Sequence, residues 1–157
     1  QDILSIPSEE IIQDLRNLCI LFKKQFINKG IVQPSSIVIF NPSFGIGSLV
    51  CGGADADIYI DGNLFDFKTG KKTGYTWQEI AQIVMYYYLN EIASYVDKTR
   101  IPAQLKDYKI INIAFYRARY GEIEYCSTEI LESKRSREYF EKISNHLLDK
   151  LKNRMLF

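Results

Sequence analysis

Histidine and cysteine, the side chains that most often build zinc sites and nucleophilic centres, are scarce in this chain. His146 is the only histidine, and its place in the last helical segment makes it a surface or packing residue rather than a catalytic base. Cys19, Cys51 and Cys126 form an odd, widely scattered set, without the close pairs of a zinc site or a disulfide framework. They read as buried small hydrophobes in a reducing compartment. No run is long and apolar enough to span a bilayer, and the amino end lacks a basic segment leading into an apolar signal core. A cytoplasmic location without membrane contact is expected. An excess of one charge is missing too: 20 Lys and Arg face 19 Asp and Glu, for a formal net charge of +1. A polyanionic partner would therefore have to be drawn by local patches.

What is present suffices for a core. Apolar residues make up 46% of the sequence and aromatics 13%, too rich a mixture for a disordered segment. No repeat, low-complexity tract or Gly/Ser-rich linker interrupts the 157 residues, so residues 1–157 read as one domain. The chain starts at Gln1 rather than Met, which suggests a piece of a longer protein and leaves room for a further domain or a partner protein.

The elements can be placed coarsely. Ser8 precedes a helical pattern with Ile11, Ile12, Leu15, Leu18, Phe22 and Phe26, and Gly30 is a natural stop. Residues 36–40 and 54–60 read as strands, the first closed by Asn41-Pro42. Asp61-Gly62-Asn63 is a hairpin turn, from which 64–69 returns as the next strand. Thr76 and Glu79 have capping-box spacing and open a helix through about Tyr95. Residues 108–119 and 122–128 read as an antiparallel pair around Tyr120-Gly121. A last helix starts near Lys134, with Phe140, Ile143, Leu147, Leu151 and Met155 as its apolar stripe.

Chemistry concentrates between Gly52 and Gly70. Side chains alternate along a strand, so Asp55, Asp57 and Tyr59 share one face, and Asp66 and Lys68 share one face of the next. With Asp61-Gly62 as the loop, Asp57 lies opposite Asp66 and Asp55 opposite Lys68; moving the loop one residue on pairs Asp57 with Lys68. Two carboxylates on adjacent strands suit Mg²⁺ or Mn²⁺, which favour hard oxygen ligands and retained waters. A neighbouring lysine can orient a metal-activated water and balance charge developing on a phosphodiester. Solvated charges on an open sheet face would show the same spacing.

The run Asp57, hairpin, Asp66-Phe67-Lys68 resembles the PD-(D/E)XK pattern of metal-dependent nucleases. Asp66-Phe67-Lys68-Thr69-Gly70 is similar to the DYKTG-type strand of the RecB-like branch, and Gln82 and Tyr86 fit the Q-x-x-x-Y motif of the helix that follows it. The resemblance implies an α/β, restriction-endonuclease-like core with a central mixed sheet flanked by helices in the order α-β-β-β-α-β. It implies phosphodiester hydrolysis, with DNA as the expected nucleic-acid partner. Asp57, Asp66, Lys68, Gln82 and Tyr86 would form the catalytic set, with Asp57, Asp66 and Phe67 as metal ligands and Asp55 as the alternative or additional one. Lys71 and Lys72 beside this centre are the expected substrate contacts, with Arg117 and Arg119 as weaker candidates. For the family's acid from the first helix, only Glu9 and Glu10 are candidates. The alternative is a nuclease-like module that binds nucleic acid or protein without cutting.

Overall fold

The computed structural model describes residues 7–95 and 103–155, excepting the side chains at 50, 95, 134, 135, 147, 148 and 150–155. Its centre is a five-stranded mixed sheet in the order β1-β2-β3-β4-β5, formed by β1 (Val38–Phe40), β2 (Ile58–Ile60), β3 (Asn63–Lys68), β4 (Asn112–Arg117) and β5 (Glu122–Ser127). Only β3 and β4 run parallel; the other neighbours are antiparallel. The helices are α1 (Glu9–Phe22), the short α2 (Ile46–Val50), α3 (Trp77–Tyr95) and α4 (Lys134–Met155). The fold is thus α/β, a mixed sheet flanked by helices.

Strand alternation divides the core. On one face Ile58, Ile60, Phe65, Ala114, Tyr116 and Ala118 pack with Phe26, just beyond α1, and with Phe67. On the other Tyr59, Leu64, Ile113 and Phe115 pack with Ile83, Tyr87 and Ile92 of α3. Burying apolar side chains on both faces removes the sheet from water, the main term favouring the fold.

Several expectations hold with shifted bounds. The first helix starts after Ser8, although the Ser8 side chain makes no capping bond; it continues as a π-helical turn over Lys23–Ile27, and Gly30 has φ +74°. The capping box at the start of α3 is present: Thr76 donates from its amide and hydroxyl to Glu79 Oε2 at 2.7 and 2.8 Å. Regular strand begins only at Ile58 because the preceding segment crosses residues 41–43 through single bonds, Ala56 N to Pro42 O and an isolated Ser43–Asp55 bridge. β4 likewise begins at Asn112, since the Ile111 and Asn112 amides both donate to the Gly62 carbonyl. The sequence reading missed α2 and the 3₁₀ turn over Thr128–Glu132, each too short for helical periodicity to show. In the last helix Ile143 is 44% exposed, while Leu147, Leu151 and Met155 lie outside the described side chains.

The cysteines correct an expectation. Cys19, Cys51 and Cys126 are all exposed free thiols, because Cys19 falls on the outer side of α1, Cys51 at the end of α2 and Cys126 on the edge strand β5. Among the described residues, no helix is long and apolar enough to cross a membrane.

Candidate active site

Asp61-Gly62 forms the two-residue turn between β2 and β3, with both residues at positive φ, 44° and 92°. It fixes the register Ile60–Asn63, Tyr59–Leu64 and Ile58–Phe65, which sets Asp57 opposite Asp66, the first of the two registers that the spacing allows. Regular pairing ends at Ile58, and there the Asp57 carboxylate Oδ2 accepts a hydrogen bond from the Phe67 amide. The acid of one strand is thereby tied to the backbone between Asp66 and Lys68.

Asp66 is buried, only 6% exposed. Lys68 Nζ stands 2.8 Å from Asp66 Oδ2, so this buried oxygen has the ammonium as its close polar neighbour. Burial pushes the Asp66 carboxyl above its usual range; Lys68 opposes the shift, while the Asp57 and Glu79 charges add to it. Lys68, partly exposed at the same face, lies over the Phe115 ring, 5.8 Å from its centroid.

α3 supplies the wall. Gln82 Nε2 donates to the Tyr86 hydroxyl at 2.6 Å, and the Tyr86 ring stacks on Phe44 at 5.4 Å. Burial raises the Tyr86 phenol most, Gln82 lowers it, and Asp66, Asp55 and Asp57 each raise it further. The motif residues of the helix therefore border the same carboxylates as the hairpin. Asp55 is exposed and bridges to Ser43; Asp57, which acts directly on Asp66, is the better-placed ligand. The Phe67 side chain points to the opposite face, against Phe26 and Tyr116 at 5.7 and 5.1 Å, so only its main chain can serve the site.

Glu79 is a site residue that the sequence reading treated only as a cap. Its carboxyl is held low first by the Thr76 amide and hydroxyl, and also by Lys68 and Lys72. Its spacing of three and seven residues from Gln82 and Tyr86 places all three on one helical face, which could have revealed it. Glu9 and Glu10 belong elsewhere: they are exposed on α1 beside Gln13 and Asp14, and the helix packs its Leu18 and Phe22 on the sheet face opposite Asp66.

The basic residues separate. Lys72 lines a cleft of about 240 Å³ with Lys68, Glu79 and Arg117, whereas Lys71 lies close enough to Asp14 to help lower its carboxyl. Arg119 is committed to a bidentate pair with Asp14 at 2.6 and 2.7 Å. Arg117 meets Glu122 and Glu124 at 2.5 and 3.2 Å and lies between the Tyr75 and Tyr120 rings. His146 is exposed on α4.

A larger cavity, about 580 Å³, lies between α3 and α4 and is lined by Tyr87, Glu91, Glu132 and Arg137. It shares no lining residue with the cleft at Lys68.

No group of three or more His, Cys, Asp or Glu side chains placed to hold a metal occurs among the described residues. The buried Asp66 carboxylate with Asp57 beside it is a hard-oxygen pair, chemically compatible with an ion that retains several waters. No family model, no curated protein and no solved structure matches the chain.

Proposed function

We propose that this chain is a metal-dependent nuclease with a restriction-endonuclease-like core, acting on DNA through Asp57, Asp66 and Lys68. The carrying observation is the buried Asp66 carboxylate, which lies 2.8 Å from the Lys68 ammonium and within the field of the Asp57 charge on the neighbouring strand. Burial makes its ionised form costly, and a divalent cation would offset that cost. The order α1, β1, β2, β3, α3, β4 agrees with the core that the PD-(D/E)XK resemblance implies, with α2 inserted.

Asp57 and Asp66 would hold the Mg²⁺ or Mn²⁺, whose chemistry is to polarise a phosphodiester and acidify a water. The Lys68 charge would orient that water and offset negative charge growing on the phosphoryl oxygens. In the net reaction the water oxygen joins phosphorus, the phosphorus–oxygen ester bond breaks, and a proton from that water ends on the departing oxygen. Asp57 is held for ligation by the Phe67 amide, and the Gln82–Tyr86 pair closes the carboxylates on the helix side.

Incubation of the purified chain with linear, circular and single-stranded DNA in Mg²⁺ or Mn²⁺ tests this reading. Metal-dependent cleavage that disappears with chelator supports it. Tight DNA binding without cleavage in either metal would instead mark a non-cutting module.

A further inference from the structure

The segment between β3 and α3 is gripped from one side. Three consecutive residues following β4 hold three of its carbonyls: the Ala118 amide donates to Lys68 O at 3.0 Å, Arg119 Nε to Thr69 O at 2.6 Å and the Tyr120 hydroxyl to Lys71 O at 2.7 Å. Arg119 is braced in turn by its two bonds to Asp14 of α1. The carbonyls of Thr69 and Lys71, with that of Lys68 at the end of β3, are thus engaged. The loop amides have no such partner within the protein: among the described residues, the exposed N–H groups of Gly70, Lys71, Lys72, Thr73 and Gly74 donate no hydrogen bond. Gly70 and Gly74 line the cleft of about 240 Å³ together with Lys72.

Charge accounting leaves two loop cations, Lys71 and Lys72, of which only Lys72 lines the cleft. Lys68 faces Asp66, Arg117 meets Glu122 and Glu124, and the Glu79 carboxylate is occupied on one oxygen by Thr76. Lys72 has no ion pair among the described residues. An ammonium beside a run of free backbone amides is the donor set that receives a phosphate, since successive N–H groups form a concave anion site and a charged donor strengthens it.

We propose that residues 70–74 form a phosphate cradle, with Lys72 and the free loop amides as donors and with Arg119 and Tyr120 as the residues that hold it open. It lies on the β4 side of Lys68, away from Asp57 on the β2 side. The inference deepens the nuclease reading and rests on it for the identity of the ligand as nucleic acid; the cradle itself rests on the loop. Glu79, on the cleft wall, limits the anion to a position near Lys72 and the loop backbone.

The test uses amide NMR spectra of the whole chain titrated, without divalent metal, first with inorganic phosphate and then with oligonucleotides bearing or lacking a 5′-terminal phosphate. Saturable shifts should centre on the amides of residues 70–74, and Lys72→Ala should weaken phosphate binding about tenfold, the loss of one charge-assisted donor. Tyr120→Phe, which frees the Lys71 carbonyl, should weaken it as well and speed hydrogen exchange in the loop. Preference for the phosphorylated oligonucleotide assigns a strand end, and equal binding assigns the internal backbone; both require the cradle. Shifts that avoid these amides, or unchanged affinity in Lys72→Ala, overturn it. Phosphate binding here without cleavage in Mg²⁺ would keep the cradle and remove the nuclease, while cleavage without phosphate shifts would do the reverse.

Discussion

The Asp57 carboxylate accepts a hydrogen bond from the Phe67 amide at the point where the β2–β3 ladder stops. A side chain thus continues the pairing that the backbone abandons, and its charge acts on Asp66 across the strands. Asp57→Asn keeps an oxygen for the Phe67 amide and removes the charge a metal needs. It should melt close to the wild type in metal-free buffer but lose the rise in melting temperature that Mg²⁺ gives the wild type, as a scanning calorimeter would show. An equal Mg²⁺ effect in both proteins would take Asp57 out of the ligand set.

Asp66 carries an opposite expectation. Its carboxyl is raised chiefly by burial, so its ionised form is held at a cost in the absence of metal. Asp66→Asn should therefore be more heat-stable than the wild type without metal, where each kcal/mol relieved is worth ~2–4 °C in a chain of this size. Addition of Mg²⁺ should reverse the ranking. A metal-free melt in which the variant is clearly less stable would mean that the Lys68 contact outweighs the burial cost.

The hairpin and the capping box were legible because each depends on a few adjacent residues: Asp61-Gly62 accommodates two positive φ angles, and Thr76 with Glu79 closes a reciprocal pair of bonds. The choice between the two registers was not, since either loop placement suits the same residues. Tertiary consequences were not. The role of Arg119 depends on Asp14, 105 positions away in sequence, and the hold on the Lys71 carbonyl depends on Tyr120, 49 positions away. The exposure of all three cysteines is likewise set by which strand is an edge and which helix face is outward. Composition biases such residues inward but does not decide a single position.

Gly47 of α2 is required by contact rather than by dihedral angle. A Cβ there would stand 2.4 Å from the Leu89 carbonyl oxygen of α3, a backbone atom that cannot swing aside. Gly47→Ala should destabilise the chain by about 1–3 kcal/mol, the usual cost of overpacking, and urea unfolding would measure it. An unchanged midpoint would show that α2 does not seat tightly on α3.

The Asp14–Arg119 pair predicts a pH effect. The Arg119 hydrogen bond is the largest influence on the Asp14 carboxyl and holds it below its ordinary range. A lowered acid contributes stability above its unfolded pKa, about 3.9, and loses that contribution as pH falls through the folded value. Asp14→Asn should accordingly be less stable than the wild type at neutral pH, with the gap closing in acid. Unfolding curves at pH 7 and near pH 3 check this; a gap that persists undiminished in acid would show that the ion pair is not its source.

Single-turnover cleavage of DNA by Lys68→Ala, in saturating Mg²⁺, tests the central claim most directly, because the lysine serves the transition state more than binding. Losing one charge aimed at the reacting phosphate should slow cleavage on the order of a hundredfold to a thousandfold, or about 3–4 kcal/mol. DNA affinity measured in Ca²⁺ and the melting temperature should stay near the wild-type values. Cleavage at the wild-type rate by the folded variant would contradict the account, since it would leave Lys68 as an exposed sheet residue with no part in the chemistry.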